Sequence, residues 1–256
     1  MFRRKERKMT VKPKVIGIIP ARYASSRFPG KILVEIAGKP MIQRVYEQSY
    51  KSLLLDELLV ATDDQRVIDC VTGFGGKAIM TAGHHQSGTD RIAEVMTKRS
   101  EDIVVNIQGD QPLLDPVMID ETVQPLIDNP DIQMSTIKTR IEQESYQDPA
   151  VVKVVTDMAG FALYFSRSLV PFPREEKEIA VFEHVGLYVY RKDFLLHIAK
   201  LPQSPLEKIE LLEQLRVLEN GFKIYVVETK SDRAAGVSVD TPEDLADVEK
   251  IIAERK

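Results

Sequence analysis

The stretch KVIGIIPARYASSRFPGK, residues 14–31, decides the fold of this chain. It opens with a β-branched apolar run at residues 15–19, which ends at a proline and predicts a buried central strand. That strand leads directly into a loop that carries three cations, Arg22, Arg27 and Lys31. In open α/β sheets, ligands bind at the loops that follow the carboxyl ends of strands. The stretch therefore predicts a sheet edge that binds an anion.

The same loop is built of small residues, Ala24, Ser25 and Ser26, whose size lets backbone N–H groups approach phosphate oxygens. It is not a Walker loop, because Gly30 and Lys31 are followed by isoleucine instead of Ser or Thr. It also lacks the G-x-G-x-x-G pattern of dinucleotide-binding loops. The residues favour a phosphate site, and the alternative is an exposed basic loop that ends in a proline turn.

Apolar runs and helix-like stretches alternate through the first half of the chain. The runs typical of strands lie at residues 56–62, 77–81 and 102–107, and the amphipathic stretches lie at 41–52, 64–72 and 90–98. Strand, helix and strand in succession indicate a mostly parallel sheet with helices on both faces. We therefore predict an α/β fold of three layers, Rossmann-like in its organisation.

The second half is less regular. Further strands are predicted at residues 151–157, 161–166, 184–190 and 223–229, with a last helix from Pro242. The strongest helix signal covers residues 204–221, because Ser204, Pro205 and Glu207 form a helix start and Asn220-Gly221 forms an end. The apolar face predicted for this helix consists of Ile209, Leu212 and Leu215.

These elements are interpreted as one domain, residues 13–256, with a smaller lobe inserted at about residues 130–200. Residues 1–12 are basic and are followed by no apolar run, so we expect a disordered leader and no secretory signal. A net charge of -4 argues against nucleic acid or an anionic membrane as the main partner. The apolar stretches are too short to span a bilayer. The single cysteine, Cys70, allows no intramolecular disulfide and favours a cytoplasmic protein.

Two carboxylates stand at positions that suit a magnesium site. Asp110 follows the apolar strand that ends in VVNIQ, and Asp240 precedes the last helix. Mg²⁺ takes one or two carboxylates together with phosphate oxygens and water, so this pair is a sufficient set. The alternatives are that Asp110 is a plain turn residue and that Asp240 caps the helix.

Taken together, these segments closely resemble the CMP-Kdo synthetases, or 3-deoxy-manno-octulosonate cytidylyltransferases, which have a nucleotidyltransferase fold. The matching stretches are IIPARYASSRFPGK (18–31), ATDD (61–64), HQSGTDR (85–91), VNIQGD (105–110), VKVV (152–155), ALYFSRS (162–168), HVGLYVYR (184–191), LEKIELLEQLRVLENG (206–221) and VDTPEDL (239–245). They follow the family's order from about residue 15 to 250. The phosphate loop is shared with many nucleotidyltransferases, whereas the other stretches are far more specific.

The resemblance implies an enzyme that transfers CMP from CTP to the anomeric hydroxyl of the acid sugar Kdo, for lipopolysaccharide biosynthesis, as a cytoplasmic homodimer. It implies that Arg22 and Lys31 hold the triphosphate and that Asp110 and Asp240 bind Mg²⁺. Ser25 and Gln108 would lie near the cytosine. The positions that match the family's sugar pocket are Arg91, His184, Glu213 and Gln214.

Arg91 suits the Kdo carboxylate, because a guanidinium binds carboxylates in a bidentate manner. From the residues alone, His184 could instead be a structural histidine, and Glu213 and Gln214 could be solvated surface. Three segments depart from the family's usual sequence: GDEP reads GDQP here, with Gln111 for the glutamate, the Asn-rich segment before VKVV reads DPAV (148–151), and the glycine run before VDT reads AAGVS (234–238). Together these departures could tune the sugar towards 8-amino-Kdo. The rival functions are transfer to a related acid sugar such as sialic acid, transfer to a sugar phosphate, and a silent nucleotide-binding regulator.

Overall fold

The computed structural model describes residues 12–24, 28–175 and 179–254. Within these ranges the strands are β1 (Val15–Ala21), β2 (Glu35–Ile36), β3 (Lys39–Pro40), β4 (Glu57–Thr62), β5 (Ala78–Met80), β6 (Ile103–Asn106), β7 (Met134–Ile141), β8 (Lys153–Thr156), β9 (Ala162–Ser166), β10 (Val181–Arg191) and β11 (Tyr225–Glu228). The α-helices are α1 (Met41–Ser49), α2 (Gln65–Gly73), α3 (Gly88–Met96), α4 (Pro116–Asp128), α5 (Lys192–Ile198), α6 (Pro205–Glu210), α7 (Gln214–Glu219) and α8 (Pro242–Glu254). Apart from its last residue, the basic leader predicted for residues 1–12 lies outside the described ranges.

The central sheet runs in the order β11-β7-β10-β6-β1-β4-β5. The pairs β6-β1, β1-β4, β4-β5 and β7-β11 are parallel, whereas β10 runs antiparallel to both of its neighbours on this path. The predicted mostly parallel α/β sheet is therefore confirmed. Because β1, β4 and β6 are parallel neighbours, the loops after all three strands open at one edge of the sheet.

Alternate residues of β1 enter two apolar cores on opposite faces of the sheet. Val15 and Ile19 pack in a core that includes residues of α1, α2, α4 and α8. Ile16 and Ile18 pack in a second core, with residues of α3, α5 and α7. A strand buried on both faces reads as a continuous apolar run, which explains the VIGII pattern. The predicted three layers are confirmed.

Two central elements were missed by the sequence analysis, α4 and β7. The start of α4 has a clear signal, because the Asp115 carboxylate accepts a hydrogen bond from the Val117 N–H at 3.0 Å and Pro116 occupies the first turn. The strand β7 is largely buried but contains polar residues, and two of them, Ser135 and Thr136, are fully buried. Polar residues at buried positions weaken the apolar pattern on which strand prediction depends.

The single helix predicted for residues 204–221 is wrong. The capping box of Ser204 and Glu207 is present as predicted, but α6 ends at Glu210 and Leu211 adopts a left-handed conformation, with φ 54° and ψ 46°. The chain then turns into α7. Leu212 and Leu215 are buried as expected, whereas Ile209 is 77% exposed and does not join them.

The break after α6 places Glu210 against β9. Its carboxylate accepts hydrogen bonds from the Ser166 hydroxyl at 2.8 Å and from the Arg167 N–H at 3.0 Å, and its carbonyl accepts one from Arg167 Nε at 2.8 Å. These contacts offset the free-energy cost of the left-handed conformation of Leu211. No local sequence pattern predicts them.

The range predicted as a smaller lobe, residues 130–200, contains β7 and β10, which lie within the central sheet. Its remaining strands, β8 and β9, pair with each other, and β8 joins β10 through the pair Glu183 and Lys153. Among the described residues, no helix is both long and apolar enough to cross a bilayer.

Lys153 anchors the start of β8 from a fully buried position. Its ammonium group donates to the carbonyls of Asp148, Val151 and Arg167, at 2.6, 2.8 and 2.9 Å. Burial lowers its pKa. The ammonium thus supplies hydrogen bonds to three carbonyls that are shielded from solvent.

Lys153→Met is expected to lower the free energy of unfolding by about 2–4 kcal/mol, because the carbonyls lose their donor while the apolar stem is kept. Urea unfolding monitored by circular dichroism measures this, and Lys98→Met in the exposed turn after α3 is the matched control. If the two variants unfold at the same midpoint concentration of urea, Lys153 does not contribute to stability through these hydrogen bonds.

Candidate functional site

The loop after β1 returns to the sheet through a sharp turn at Gly30. Gly30 has φ +73°, and its N–H donates to the Tyr23 carbonyl at 3.0 Å. A side chain there would meet the Tyr23 hydroxyl at 3.1 Å, so both the conformation and the space favour glycine. Within the loop, Arg22 donates through Nη2 to the Gln86 carbonyl. Ser25 and Ser26, which were predicted to bind the nucleotide, and Arg27 lie outside the described residues; Ala24 is described and follows Tyr23 in the chain.

Lys31, Asp110 and Asp240 converge at this sheet edge. The Lys31 ammonium lies 2.9 Å from Asp110 Oδ2 and 2.8 Å from Asp240 Oδ1, and it also donates to the Val239 carbonyl at 3.1 Å. Burial by itself would lower the pKa of Lys31, but the two carboxylates outweigh it and raise the pKa. Lys31 is therefore a cation at neutral pH, and both carboxylates contact it.

The backbone fixes this convergence. The Val239 N–H donates to the Asp110 carbonyl at 2.8 Å, which ties the segment before α8 to the loop after β6. Gly109 lets that loop approach β1, because a Cβ there would lie 2.9 Å from Ile32 Cδ1 and 3.4 Å from the Pro20 carbonyl oxygen. Two carboxylates far apart in sequence are thus held at one cation.

Asp240 does not cap α8. The Thr241 hydroxyl accepts a hydrogen bond from the Asp244 N–H at 3.3 Å, and the Asp244 carboxylate accepts from the Thr241 N–H at 2.8 Å. This reciprocal pair is a capping box with Thr241 as the cap. The Asp244 carboxylate also accepts from the Asp240 N–H at 2.9 Å, so the helix start orients the backbone of Asp240 and leaves its side chain on Lys31.

Gln108 and Gln111 flank Asp110 with different surroundings. Gln108 lies against Gly186 of β10, where a Cβ would come within 3.4 Å of the Gln108 Cγ. Gln111 is buried, and its amide donates to the Gly236 carbonyl at 3.2 Å. Gln111 therefore links the Asp110 loop to the turn that leads to Asp240.

Arg91 lies on α3, in the other half of the candidate site. The helix starts at Ser87, whose hydroxyl accepts from the Asp90 N–H at 3.1 Å in a second capping box. Arg91 is 0% exposed; its Nη1 donates to the Thr81 hydroxyl at 2.5 Å, and its Nη2 lies 3.1 Å from Asp63 Oδ2. Within the described part of the chain, its buried Nε has no hydrogen-bond partner. A buried guanidinium with unused donors is suited to an anion.

Glu213 and Gln214 line a small enclosed cavity beside α3. The cavity is lined by Thr89, Met134, Tyr188, Tyr190, Ile198, Glu213, Gln214, Arg216 and Val217. Burial raises the pKa of Glu213, although Thr89, Arg216 and Ser87 act in the opposite direction. Gln214 is only 5% exposed, so the alternative of a solvated surface is wrong for it. Among the described residues, Gln214 Nε2 and Asn106 Oδ1 are buried without a hydrogen-bond partner, which suits a ligand rich in hydroxyl groups.

His184 is buried between aromatic rings beside this cavity. Its Nε2 lies 2.9 Å from the Thr136 hydroxyl, and its ring contacts those of Phe165 and Tyr188 at centroid distances of 4.9 and 5.2 Å. Burial lowers its pKa to about 3, so the imidazole is neutral at neutral pH. These contacts explain His184 as a structural residue that supports Tyr188, and its predicted contact with the sugar stays a prediction.

The candidate residues thus form two groups at one edge of the sheet. Lys31, Asp110 and Asp240 form the first, whereas Glu213 and Gln214 share a cavity with Tyr188 and Tyr190. Sequence reasoning did not assign a role to Asp63, Thr89, Asn106, Tyr188, Tyr190 or Thr241. The ATDD motif at residues 61–64 was the available signal for Asp63, since an acid directly after a strand faces the same edge.

Known proteins are similar to this chain over most of its length. A family model described as cytidylyltransferase matches residues 16–224. The 3-deoxy-manno-octulosonate cytidylyltransferase of Syntrophotalea carbinolica is 55% identical over 245 residues, 92% of this chain and 97% of that protein. Its counterpart in Geobacter sulfurreducens is 50% identical and covers 94% of this chain and 99% of its own length.

A solved structure of CMP:2-keto-3-deoxy-manno-octonic acid synthetase complexed with CTP superposes on this fold with a TM-score of 0.91. It is 44% identical and covers 95% of this chain and all of its own. The sequence identity over nearly the whole length and the shared fold indicate the same family. The chain belongs to the 3-deoxy-manno-octulosonate cytidylyltransferase family.

Proposed function

We propose that this chain transfers CMP from CTP to the anomeric hydroxyl of 3-deoxy-manno-octulosonate (Kdo) and releases pyrophosphate. The observation that carries the proposal is the convergence of Lys31, Asp110 and Asp240 beside the phosphate loop. The names of the relatives give the substrates, and 55% identity over most of both chains supports their transfer to this protein.

Magnesium is the metal that we propose for Asp110 and Asp240. The fit rests on the donor set, because both carboxylates already lie within 3 Å of one cationic nitrogen. Two carboxylates leave most of an octahedral shell to phosphate oxygens and water, as Mg²⁺ prefers. When bound, the metal supplies charge neutralisation at the reacting phosphate.

The chain's own residues have the remaining tasks. Arg22 and Lys31 neutralise the triphosphate and hold it in line for attack by the sugar hydroxyl on the α-phosphorus. Ala24, Ser25 and Ser26 provide the small residues through which backbone N–H groups reach phosphate. Ser25 and Gln108 are proposed to lie near the cytosine. No residue is assigned as a general base.

The sugar is proposed to bind between α3 and α7. Arg91 would pair with the carboxylate, and Glu213 and Gln214 would bind hydroxyl groups. Among the residues that the structure describes, Arg91 Nε and Gln214 Nε2 are buried donors without a hydrogen-bond partner. They support this assignment, because buried polar groups are normally satisfied. We further propose that the enzyme acts as a cytoplasmic homodimer in lipopolysaccharide biosynthesis, as the family resemblance implies.

Pyrophosphate release is expected with CTP and Kdo, and at less than about 1% of that rate with UTP, ATP or GTP. A pocket built to hydrogen-bond the cytosine edge leaves buried groups unpaired when another base enters. A coupled pyrophosphate assay with each nucleotide, with and without Kdo, measures this. Turnover with UTP equal to that with CTP would contradict the assignment, and sialic acid and 8-amino-Kdo as acceptors test the choice of sugar.

Arg91→Lys is expected to raise the KM for Kdo by about tenfold or more, because lysine keeps the charge but loses the planar fork. The KM for CTP should change by less than about twofold, since Arg91 is assigned to the sugar alone. Steady-state kinetics with each substrate varied in turn measures both constants. Equal increases in the KM for Kdo and the KM for CTP would instead indicate a structural role for Arg91, in which its contacts with Asp63 and Thr81 stabilise α3.

A further inference from the structure

We propose that the Lys31 ammonium occupies the metal position of the nucleotide-free enzyme, so that the divalent cation binds only when the nucleotide draws Lys31 away. This inference rests on the metal role proposed above for Asp110 and Asp240. It concerns the order in which the nucleotide and the metal bind, which does not follow from membership of the family.

The first argument is the geometry of the ammonium. Three donors of Lys31 Nζ meet three oxygens, on Asp110, Asp240 and the Val239 backbone, at 2.9, 2.8 and 3.1 Å. An ammonium has three donors, so its hydrogen-bonding capacity is filled at this one position. The Lys31 side chain is 15% exposed, and it therefore lies within the cluster and not at its rim.

The second argument is charge. Two carboxylates that face one point repel each other, and a cation between them removes the repulsion. With Lys31 in place the cluster of Lys31, Asp110 and Asp240 has a net charge of about -1 instead of about -2. A divalent cation that enters must displace the ammonium, so Lys31 competes directly with the metal.

The third argument is the small number of protein ligands. In the parts of the chain that the structure describes, no group of three or more His, Cys, Asp or Glu residues is arranged to hold a metal. Two carboxylates need further oxygens to complete the shell of Mg²⁺, and a triphosphate supplies them. The same triphosphate attracts Lys31 by its charge. The nucleotide thus completes the metal shell and removes the competitor in one step.

The Lys31 backbone is anchored while its side chain can move. Its N–H donates to the Phe28 carbonyl at 3.1 Å, which closes the turn of residues 28–31. A lysine stem has four rotatable bonds, so the ammonium can pass from the carboxylates to phosphate without a backbone rearrangement.

Mn²⁺ binding, followed by electron paramagnetic resonance of the free ion, tests the inference without turnover. In the absence of nucleotide, Lys31→Met should bind Mn²⁺ at least about tenfold more tightly than the unmodified enzyme, because the competing cation is gone. Lys31→Arg is the matched control, since it keeps a cation and should keep Mn²⁺ binding weak. Adding CTP should tighten Mn²⁺ binding to the unmodified enzyme more than to Lys31→Met.

Thermal unfolding gives a second readout that does not depend on the affinity measurement. At a Mn²⁺ concentration that saturates the variant alone, Mn²⁺ should raise the Tm of nucleotide-free Lys31→Met more than that of the unmodified enzyme, because the variant binds the ion more tightly. Mn²⁺ binding to Lys31→Met that is no tighter than to the unmodified enzyme would overturn the inference. The proposed metal site fails separately if Asp110→Asn and Asp240→Asn do not weaken the Mn²⁺ binding seen with CTP.

Discussion

Asp110→Asn and Asp240→Asn are each expected to lower kcat by on the order of 10³-fold, and the double variant should lose little more. Both carboxylates face one cation position, at 2.9 and 2.8 Å from the Lys31 ammonium. Groups that act as one unit show effects that do not add. Pyrophosphate release at saturating CTP and Kdo measures kcat for all three variants.

The capping box of α8 makes Asp240→Asn a sharp test. Since Thr241 and Asp244 cap the helix, the substitution should leave the stability of α8 unchanged while it removes the carboxylate charge. Asp247→Asn, on the exposed side of the same helix, is the matched control and should keep full activity. An active Asp240→Asn enzyme would remove Asp240 from the chemistry altogether.

Lys31→Ala is expected to lower kcat/KM by about 10²- to 10³-fold, and Arg22→Ala by a similar factor. Both cations lie in the loop after β1 and are assigned to the triphosphate, where negative charge accumulates during transfer. The fold should survive, because each side chain belongs to a loop and not to either apolar core. Steady-state kinetics with CTP varied, together with circular dichroism, measures both quantities.

A neighbouring lysine provides the control for this pair of variants. Lys39 is half exposed and pairs with Glu47 at 2.6 Å, away from Asp110 and Asp240. Lys39→Ala should change kcat/KM by less than about twofold, because exposed ion pairs contribute little. Unchanged catalytic efficiency in Lys31→Ala would exclude Lys31 from the site.

Much of the convergence of Lys31, Asp110 and Asp240 could be predicted from the sequence, because local signals and parallel topology act together there. The apolar run of β1 and the position of Asp110 after β6 sufficed to place the phosphate loop and one acid at the same edge. Asp240 was ambiguous, since Asp and Thr are both good caps and stand next to each other at 240 and 241. The capping box of Thr241 and Asp244 shows that Asp240 is not the cap. The hydrogen bond from the Val239 N–H to the Asp110 carbonyl brings Asp240 beside Asp110, and no spacing rule predicts that contact.

The proposed sugar side was harder to predict because it depends on contacts between distant elements. The buried Arg91 forms an ion pair with Asp63 and a hydrogen bond with Thr81, and helical periodicity predicts neither partner. The break at Leu211 was missed because a left-handed leucine has no sequence signal of its own, unlike glycine at such a position. Tertiary contacts of Glu210 with β9 outweigh the local preference for one continuous helix.

Phosphorus NMR of a reaction containing CTP, Kdo and Mg²⁺ tests the central claim most directly, because it observes the bond that is formed. Transfer of CMP to the anomeric oxygen predicts one new phosphodiester resonance and an equal amount of pyrophosphate, both dependent on Kdo and absent with Asp240→Asn. Pyrophosphate formed at the same rate without Kdo, or a product that retains a diphosphate, would contradict the account.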